Sequence, residues 1–403
     1  MVAPFELSLR HLDVAIAVKR EGGIGAASAS INLSQPALTH ALAKLEQQLG
    51  HRLFDRQARG TKATAAGDLF VARAEQALSL LVEGGRRVRR SARLKPIAHL
   101  ERLVTMSQVR ALAMVERFGS YAHAAREMGY AQPSVHRAVK EIEAIMGVEL
   151  LLRSGRTVLP TERATRLVSA IRLMASELRA GLDELAAIEQ AGAGRILIGG
   201  LPLPRAGVLP EALALFAKDH AATDVTVVEG PYLELISSLR SGEIDFALSD
   251  LRDPEPASDI EQIELFTDVF YIVANAAHPL AGSRVPPVET LAQYPWIVGN
   301  RGSPMRTIWE SLFKIHKPVS RIDCGSILTL RKLLIEGDWL ALMSPDVFDI
   351  EQSAGLLTTV GGPLPGHLRR IGVTVRADWR PTAAQSALLA ALKTAGLRRT
   401  SQL

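Results

Sequence analysis

The chain has 403 residues, and its 47 Lys and Arg against 42 Asp and Glu give a net charge of +5. This length exceeds one ordinary domain, and 47% hydrophobic with 22% charged residues excludes general disorder. Residues 1–194 hold 27 basic and 19 acidic side chains, whereas residues 195–403 hold 20 and 23. A net charge of +8 followed by −3 predicts a polyanion-binding half joined to a half that binds none.

The cysteine content and the first residues bear on the cellular compartment. Cys324 is the single cysteine, which excludes an intrachain disulfide framework and a cysteine-rich zinc site and fits a reducing cytosol. The start MVAPFELSLRHLD lacks the pattern of a signal peptide, and no stretch approaches ~18 apolar residues. We therefore expect a cytoplasmic protein with no membrane partner.

The first half repeats itself at an offset of 97 residues. Residues 9–67 align with 106–164 without a gap, and 13 of the 59 positions are identical. Roughly four or five identities are expected by chance for such Ala- and Leu-rich segments. The shared residues include Gly22/Gly119, Gln35/Gln132, Pro36/Pro133, Glu46/Glu143, Gly50/Gly147, Arg56/Arg153, Arg59/Arg156 and Thr64/Thr161.

Each copy has the same predicted elements. In the first copy the apolar spacing predicts helices over 9–20, 25–31 and 35–49, and in the second copy the third helix runs from Gln132 to Met146. Ser34 is the predicted N-cap of the third helix, with Pro36 in its first turn. Short strands at 52–54 and 62–64 are predicted to form a basic hairpin. This order predicts a winged helix-turn-helix in each copy.

The polar face of each third helix and the basic hairpins are the predicted DNA contacts. The alternative is two helical packing units without a DNA role. The second copy has Ala131 in place of Ser34 and Glu141 in place of Lys44. The first copy therefore fits the role of binding DNA better than the second. Whether both copies bind DNA stays open at this point. The candidate DNA-binding residues are Ser34, Gln35, Pro36, Thr39, His40, Lys44, Arg56, Arg59, Lys62, Gln132, His136, Arg137, Arg153 and Arg156.

Two stretches carry a specific resemblance. SQPALTHALAKLEQQLGHRLFDRQARGTKATAAG, at 34–67, resembles the N-terminal domain of LysR-type transcriptional regulators in its Ser-Gln-Pro-Ala, Leu-Phe-Asp-Arg and Thr-x-Ala-Gly elements. FGSYAHAAREMGYAQPSVHRAVKEIEAIMG, at 118–147, resembles the same domain and keeps its Gly-Ser-aromatic-x-x-Ala-Ala second helix. The departure is the duplication, because members of the family normally carry one such domain.

A long helical segment follows each hairpin, at 65–90 and at 162–190. Both carry apolar stripes typical of two-helix contacts. The resemblance implies that such a helix forms a dimer contact, so we expect a homodimer or homotetramer. The alternative is packing within one chain, the first helix against the second. Between the copies lies a basic linker, either solvated or in contact with phosphate: Arg86, Arg87, Arg89, Arg90, Arg93 and Lys95.

The second half alternates predicted strands and helices after the hinge QAGAG at 190–194, which predicts a mostly parallel sheet. A terminal helix at 382–394 is predicted to pack back on the first unit. The stretches LPEALALFAKDH, LRSGEIDFALSD and AAHPLA resemble the family's effector domain, with two α/β lobes similar to periplasmic solute-binding proteins.

The predicted whole is an α/β multidomain chain with two winged helix-turn-helix domains, linker helices and a two-lobed effector domain. Its predicted parts are a first winged domain at 1–64, a linker helix at 65–98, a second winged domain at 99–161, a linker or dimerisation helix at 162–192 and the effector domain at 193–403, with lobe I at 195–270 and 360–403 and lobe II at 271–359.

Ligands of such folds bind between the lobes, near strand ends and helix N-termini. The candidate effector contacts are Leu201, Pro202, Ser249, Arg301, Ser303 and Arg306. The alternatives are that Ser303 only caps its helix and that the arginines are solvated. Leu201-Pro202 stands where many family members have Ser or Thr, which indicates a less charged ligand. The predicted effector class is an organic acid, sugar or aromatic metabolite.

Enzyme signatures are missing from the sequence: there is no Walker loop, Gly-x-Gly-x-x-Gly, His-Glu-x-x-His or Gly-x-Ser-x-Gly. We expect no catalytic residue, cofactor or metal. The Cys324 side chain is either a redox-sensing thiol or an unreactive group that only packs against its neighbours. The predicted function is a ligand-responsive regulator that binds double-stranded DNA; the alternatives are a ligand-independent architectural DNA-bridging protein and an enzyme or solute-binding protein with accessory DNA modules.

Overall fold

A computed structural model of the chain describes residues 2–57, 60–155, 157–190, 193–201, 207–252 and 258–400. The first copy begins with a 3-10 turn, Pro4–Glu6, and its helices lie within one residue of their predicted positions. Its elements are α1 Leu9–Glu21, α2 Ile24–Ile31, α3 Gln35–Leu49, β1 Phe54–Gln57, β2 Gly60–Ala63 and the long helix α4 Ala65–Ser91.

The second copy has the same order of elements. A short helix that the sequence did not predict, α5 Leu100–Leu103, precedes it. Each winged domain ends in a two-stranded antiparallel hairpin. The elements of the second copy are α6 Met106–Phe118, α7 Tyr121–Met128, α8 Gln132–Met146, β3 Leu151–Ser154, β4 Thr157–Pro160 and the long helix α9 Glu162–Glu189.

The identical residues of the repeat make identical contacts. The Oε1 atom of Glu46 accepts hydrogen bonds from the backbone N–H groups of Leu53 and Phe54 at 2.7 and 3.1 Å. The Oε1 atom of Glu143 accepts from Leu150 and Leu151 at 2.8 and 3.1 Å. This tie holds the chain beside the third helix, so β1 begins at Phe54 rather than at the predicted residue 52.

The glycines that end α1 and α6 have a conformational role. Gly22 and Gly119 adopt φ angles of +71° and +60°, a region that L side chains rarely adopt. The Gly22 carbonyl accepts from Thr61 N at 3.0 Å, and the Gly119 carbonyl accepts from Val158 N at 2.8 Å. Each glycine thus ends a helix and anchors the second strand of its hairpin.

The long helices α4 and α9 pack against each other along their length within one chain. The contact is antiparallel, because Gly84 lies against Ala170 whereas Gly181 lies against Phe70 and Arg73. The apolar stripes therefore meet inside the chain, which is the alternative that the sequence left open. A contact between two chains would use other surfaces.

One hydrophobic core joins both winged domains. Leu12 and Leu38 of the first copy belong to the same buried cluster as Leu112 and Val139 of the second, with Phe70 of α4 in the same cluster. The effector half has its own buried clusters. The two copies therefore pack into one unit and are not two independent domains joined by a linker.

The described residues of the second half form two five-stranded sheets, one per lobe. Its elements are β5 Gly194–Gly200, α10 Val208–Phe216, β6 Thr223–Glu229, α11 Tyr232–Arg240, β7 Phe246–Asp250, β8 Ile260–Asp268, β9 Tyr271–Asn275, α12 Val288–Leu291, β10 Trp296–Val298, α13 Pro304–Leu312, β11 Arg321–Asp323, α14 Ile327–Glu336, β12 Leu340–Met343, α15 Pro345–Ser353, β13 Leu357–Thr359, β14 Arg369–Arg376 and α16 Ala383–Thr400.

The sheet of lobe I has the order β6-β5-β7-β14-β8, and that of lobe II has the order β11-β10-β12-β9-β13. Most strands of each sheet run in one direction, as predicted, although the pairings between neighbours are mixed. Four strands of each sheet share one direction, and the fifth, β14 in lobe I and β9 in lobe II, runs antiparallel between two of them. The chain passes from lobe I to lobe II between β8 and β9, whose strands belong to different sheets. The terminal helix α16 packs on α10 of lobe I, as predicted.

Candidate DNA-binding surface and effector cleft

The third helix of the first copy exposes a polar face beside its buried one. Ser34 caps α3 by accepting a hydrogen bond from Ala37 N at 3.4 Å, and Pro36 follows in the first turn. Leu38, Leu42 and Leu45 are buried in the core. The predicted contacts Gln35, His40 and Lys44 are exposed. The cap and the core fix the helix, so these side chains start from a rigid backbone.

Thr39 is the exception on this face, because it is half-buried. Its hydroxyl donates to the carbonyl of Gln35 at 3.0 Å. The proton is thus used within the helix, whereas the oxygen lone pairs and the methyl group are free for a base edge.

The second copy presents a different set of groups. Gln132 and Arg137 are exposed, and the ring of His136 lies against Tyr121 with 5.0 Å between centroids. Ala131 provides no side-chain cap. Glu141 accepts a hydrogen bond from Gln108 Nε2 at 2.8 Å. The change from Lys44 to Glu141 therefore serves packing between α6 and α8, a role that the sequence did not reveal.

The hairpins carry some of the predicted basic residues. Lys62 and Arg153 are exposed on β2 and β3. Arg56 lies on β1 opposite Thr61, but its side chain is outside the described part. The predicted contacts Arg59 and Arg156 lie outside the described residues.

The basic linker after α4 is partly structural. Arg89 donates to the carbonyls of Lys95 and Met146 at 2.6 and 2.7 Å, which fixes the end of α4 against α8. Arg87 pairs with Glu83 at 3.1 Å, and Arg86 and Arg90 are exposed. The exposed arginines fit the solvated alternative, Arg89 has a structural role that neither alternative included, and contact with phosphate stays a prediction.

The predicted effector residues of lobe II are divided between the loop and the core. Ser303 caps α13 by accepting from Arg306 N at 3.2 Å, and Arg301 is exposed in the loop. The prediction for Arg306 needs correction. Its guanidinium is buried, and it donates to Glu310 at 2.6 Å and to Asp323 at 2.9 Å, pairings that raise its pKa. It holds α13 against β11 and has little capacity left for a ligand.

The predicted effector residues of lobe I lie at the ends of β5 and β7. Leu201 is half-buried, and its N–H donates to the carbonyl of Leu248 at 3.1 Å. Ser249 is 1% exposed, opposite Gly372 of β14, and its hydroxyl has no hydrogen-bond partner among the described residues. Pro202 lies outside the described part.

An arginine that the sequence did not single out joins the two lobes. Arg369, at the start of β14, donates to Asp250 of lobe I at 3.0 Å and to Ser344 of lobe II at 3.2 Å. It also pairs with Asp268 at the end of β8 and lies over the ring of Phe270 at 4.7 Å. Burial raises the pKa of Asp250, and Arg369 opposes this shift. This cluster ties the two lobes of the effector domain together.

A cavity of about 410 Å³ opens between the lobes. Its walls come from α10 and β6 of lobe I and from α14 and α15 of lobe II. None of the predicted effector residues within the described ranges lines it. The residues around it include Leu209, Leu213, Val227, Glu229, Leu328, Arg331, Asp346 and Ile350.

Charged groups connect the DNA-binding half to the effector half. Arg73 of α4 pairs with Glu177 and Glu184 of α9 at 3.0 and 2.6 Å, and it donates to the carbonyl of Arg380 at 2.9 Å. Nearby, burial raises the pKa of Asp183 to about 7, and the charge of Asp245 adds to the shift. The long helices thus rest on lobe I through buried ionisable groups.

Two further observations concern membranes and metals. Within the described ranges, no helix has the length and apolar character needed to cross a membrane. In the same part of the chain, no three His, Cys, Asp or Glu side chains are grouped as metal ligands would be. The thiol of Cys324 lies 3.5 Å from the carbonyl of Ser326.

Family models match most of the chain. The "Bacterial regulatory helix-turn-helix protein, lysR family" model matches residues 9–68 and again residues 106–165. The "LysR substrate binding domain" model matches residues 189–396. The duplication seen in the sequence is therefore a duplication of this helix-turn-helix domain.

Relatives match the chain over nearly its whole length or over about two thirds of it. The transcriptional regulator GalR of Pseudomonas putida is 28% identical over 392 residues, 96% of each chain. PcaQ of Agrobacterium fabrum, another transcriptional regulator, is 27% identical over 286 residues, 70% of this chain and 91% of its own.

Solved structures share the fold. A full-length single-residue variant of OxyR from Pseudomonas aeruginosa has a TM-score of 0.55 at 19% identity, covering 71% of this chain and 94% of its own. Full-length CbnR in complex with its target DNA has a TM-score of 0.51 at 18% identity, covering 72% and 98%. From the matches to both domain types, we conclude that the chain belongs to the LysR family: it is a DNA-binding transcriptional regulator with two helix-turn-helix domains and a two-lobed effector-binding domain.

Proposed function

We propose that this regulator reads DNA with the exposed faces of α3 and α8 and holds the phosphates with its hairpins. The observation that carries the proposal is the rigid presentation of polar groups on α3, where Gln35, His40 and Lys44 project from a capped helix. Amide, imidazole and ammonium groups at the start of a recognition helix match the donors and acceptors of base edges in the major groove.

The hairpins supply the second part of the interface. Lys62 and Arg153 are exposed on the hairpin strands that follow each recognition helix. Arg56 of β1 is proposed to contact phosphate or the minor groove, and so are Arg59 and Arg156, which lie outside the described residues. The net +8 of the first half supports this assignment, because phosphate neutralisation dominates affinity for DNA.

A binding titration tests this interface. The full chain is titrated against a duplex that it has enriched from a random library and against a scrambled duplex of equal length. We expect at least about 10³-fold tighter binding to the enriched duplex. The variant His40→Ala should lower this ratio, whereas Gln47→Ala, exposed near the end of α3, should not. Equal affinity for both duplexes would refute the proposal.

The effector is proposed to bind between the lobes. Ser249 supports this site, because its buried hydroxyl at the end of β7 has no partner among the described residues and is ready for a ligand group. Ser303 and the exposed Arg301 belong to the lobe II loop that follows β10, and Leu201 lies beside β7. We propose an uncharged or singly charged organic acid, sugar or aromatic metabolite.

Binding would be transmitted by closure of the lobes. Arg369 contacts both lobes, so a change of the angle between them disturbs its bonds to Asp250 and Ser344. Lobe I in turn contacts the long helices through Arg73 and Asp183. A ligand that favours the closed arrangement shifts the orientation of the DNA-binding half and thereby the bend or spacing of the bound DNA.

Thermal denaturation against a metabolite panel separates this regulator from a ligand-independent bridging protein. A ligand that binds the native state raises the midpoint of unfolding. We expect one chemical class of the panel to do so and to change the DNA footprint. A panel without any stabilising compound would favour the bridging protein, and turnover of a bound compound would favour an enzyme.

We further propose that the regulator works in the cytoplasm as a homodimer or homotetramer. The apolar faces of α4 and α9 are occupied within the chain, so assembly would use the effector half. Leu328 of α14 and Ile350 of α15 support this surface, because they are 76% and 69% exposed and both line the interlobe opening.

A further inference from the structure

The contact between the two long helices is reciprocal in the numbering of the repeat. Gly84 and Gly181 are equivalent residues, 97 positions apart, and so are Arg73 and Ala170. A Cβ atom on Gly84 would lie 2.3 Å from the Cβ of Ala170. A Cβ atom on Gly181 would lie 3.0 Å from the Cβ of Arg73. Each helix therefore places the same glycine against the same position of the other.

The segments that precede the two copies are exchanged in the same way. The turn Pro4–Glu6 precedes the first copy but packs on α6 and α9 of the second. Helix α5 precedes the second copy but packs on α1 and α4 of the first, with Arg102 Nε 2.8 Å from Asp13 Oδ2. Equivalent segments thus cross over to the opposite copy.

The ends of the long helices repeat this exchange. Arg89, near the end of α4, donates to the carbonyl of Met146 at the end of α8. Glu189, at the end of α9, lies 3.4 Å from Nε2 of His51, just beyond the end of α3. Each long helix therefore supports the recognition helix of the other copy.

A contact in which position i touches j while j touches i is the signature of a two-fold axis. Three such contacts in one core show that the copies are related by an internal pseudo-two-fold axis. We propose that one chain is a complete two-headed DNA reader, whose partner is a duplex with two inverted half-sites of unlike sequence. This inference depends on the proposed DNA contacts of α3 and α8.

The difference between the half-sites follows from the recognition residues. Gln35 and Gln132 are equivalent and predict a shared base, with adenine as the preferred partner of glutamine. His40 corresponds to Arg137, and arginine binds the O6 and N7 atoms of guanine. Lys44 is exposed, whereas its equivalent Glu141 is held by Gln108. A guanine specific to the second half-site is therefore expected.

Selection from a random duplex library with the full chain tests this inference. Three proteins are compared: the natural chain, a first-copy variant with Thr39→Ala and His40→Ala, and a second-copy variant with His136→Ala and Arg137→Ala. The variant Gln47→Ala serves as a control on the same helix. Circular dichroism and the midpoint of thermal unfolding verify that each variant is folded.

The expected motif of the natural chain has two inverted, unlike half-sites at a fixed spacing. The motif that each variant selects should lose its base preference in one half-site only, and the two variants should affect different half-sites. Each variant should also bind the natural motif at least about tenfold more weakly than the natural chain does. Gln47→Ala should select the natural motif. Insertion of about half a helical turn between the half-sites should abolish tight binding of the natural chain.

Two other results would overturn the inference in different ways. A palindromic motif lost entirely in the first-copy variant and unchanged in the second-copy variant would show that two chains read it with their first copies; the proposed function would survive. Absence of any enriched motif would overturn both the two-headed reader and the proposed function.

Discussion

Asp183 is a carboxyl group placed where its charge is unfavourable. It lies on α9 against lobe I, and burial together with the negative charge of Asp245 raises its pKa to about 7. The backbone N–H of Arg195 donates to it and partly opposes the shift. Because the native pKa lies above the ordinary value of 3.8, the folded state favours the protonated form. Stability is thus lost as the pH rises from about 4 to about 7 and stays reduced above it.

The variant Asp183→Asn should remove this loss. The amide oxygen still accepts from Arg195 N, and no charge is buried. We expect the free energy of unfolding to rise relative to the natural chain by roughly 1–3 kcal/mol at pH 8 and to change little at pH 4.5. Urea denaturation at the two pH values measures this. Glu75→Gln, an exposed carboxyl on α4, is the control; an Asp183→Asn effect equal at both pH values would contradict the assignment.

Ser249 gives a second test at the scale of one residue. Its hydroxyl is buried and has no partner among the described residues. Removing the hydroxyl should therefore raise the free energy of unfolding by about 1 kcal/mol. The same variant, Ser249→Ala, should reduce the rise in unfolding midpoint that the effector causes. A destabilised protein with an unchanged ligand response would show that Ser249 has a structural role only.

At this scale the sequence predicted local contacts and missed distant ones. The caps Ser34 and Ser303 act as expected, because a cap depends on residues within the next turn. The interlobe cluster of Arg369 was missed, because Asp250 lies 119 positions away and only the folded sheet brings it near. Arg306 was misassigned for the same reason, since Asp323 reaches it from the next strand.

At the scale of elements, close approach of α4 and α9 depends on two glycines. An alanine at Gly84 places its Cβ 2.3 Å from that of Ala170, so the helices must separate. We expect Gly84→Ala to destabilise the chain by about 1–3 kcal/mol despite the better helix propensity of alanine. Gly181→Ala, with its closest atom at 3.0 Å, should cost less.

Chemical denaturation of both variants measures this contact, with Gly25→Ala as the matched control. Gly25 lies in the first turn of α2, and the nearest atom to an added Cβ is 3.6 Å away. This control should be neutral or slightly stabilising. A stabilising effect of Gly84→Ala would mean that the two helices do not pack closely.

Helix positions were predicted well and strand order was not. Apolar periodicity and glycine caps are local signals, and they placed α1, α3 and α8 within a residue. The short elements α12, α15 and β13 were missed because each has three to nine residues and little periodicity. The antiparallel strands β9 and β14 complete each sheet by long-range pairing, which no local pattern encodes.

At the scale of the whole molecule, the duplication changes which surfaces are free. The faces that could join two chains through α4 and α9 are buried inside one chain. Light scattering should show a dimer or tetramer that Leu328→Glu converts to smaller species, because a charge would enter an apolar contact. Ile315→Glu, at an exposed position of lobe II, is the control. Unchanged mass of Leu328→Glu would place the assembly surface elsewhere.

The division of charge belongs to this scale as well. The modest +5 is the sum of a basic DNA-reading half and a mildly acidic ligand-binding half. Ion pairs and hydrogen bonds fix some of the basic residues, such as Arg73 and Arg89, within the protein. Others, including Lys62, Arg137 and Arg153, are exposed on the recognition and hairpin elements. The positive charges of these exposed side chains are accessible to the phosphate groups of a polyanion.

The most direct test is the salt dependence of DNA binding by the full chain. Fluorescence anisotropy with the enriched duplex should show that the logarithm of the binding constant falls linearly with that of the salt concentration, by about 0.9 per phosphate contact. Lys62→Gln and Arg153→Gln should each reduce this slope by about 1, while Glu75→Gln leaves it unchanged. Binding independent of salt, or slopes unchanged in both hairpin variants, would contradict the account.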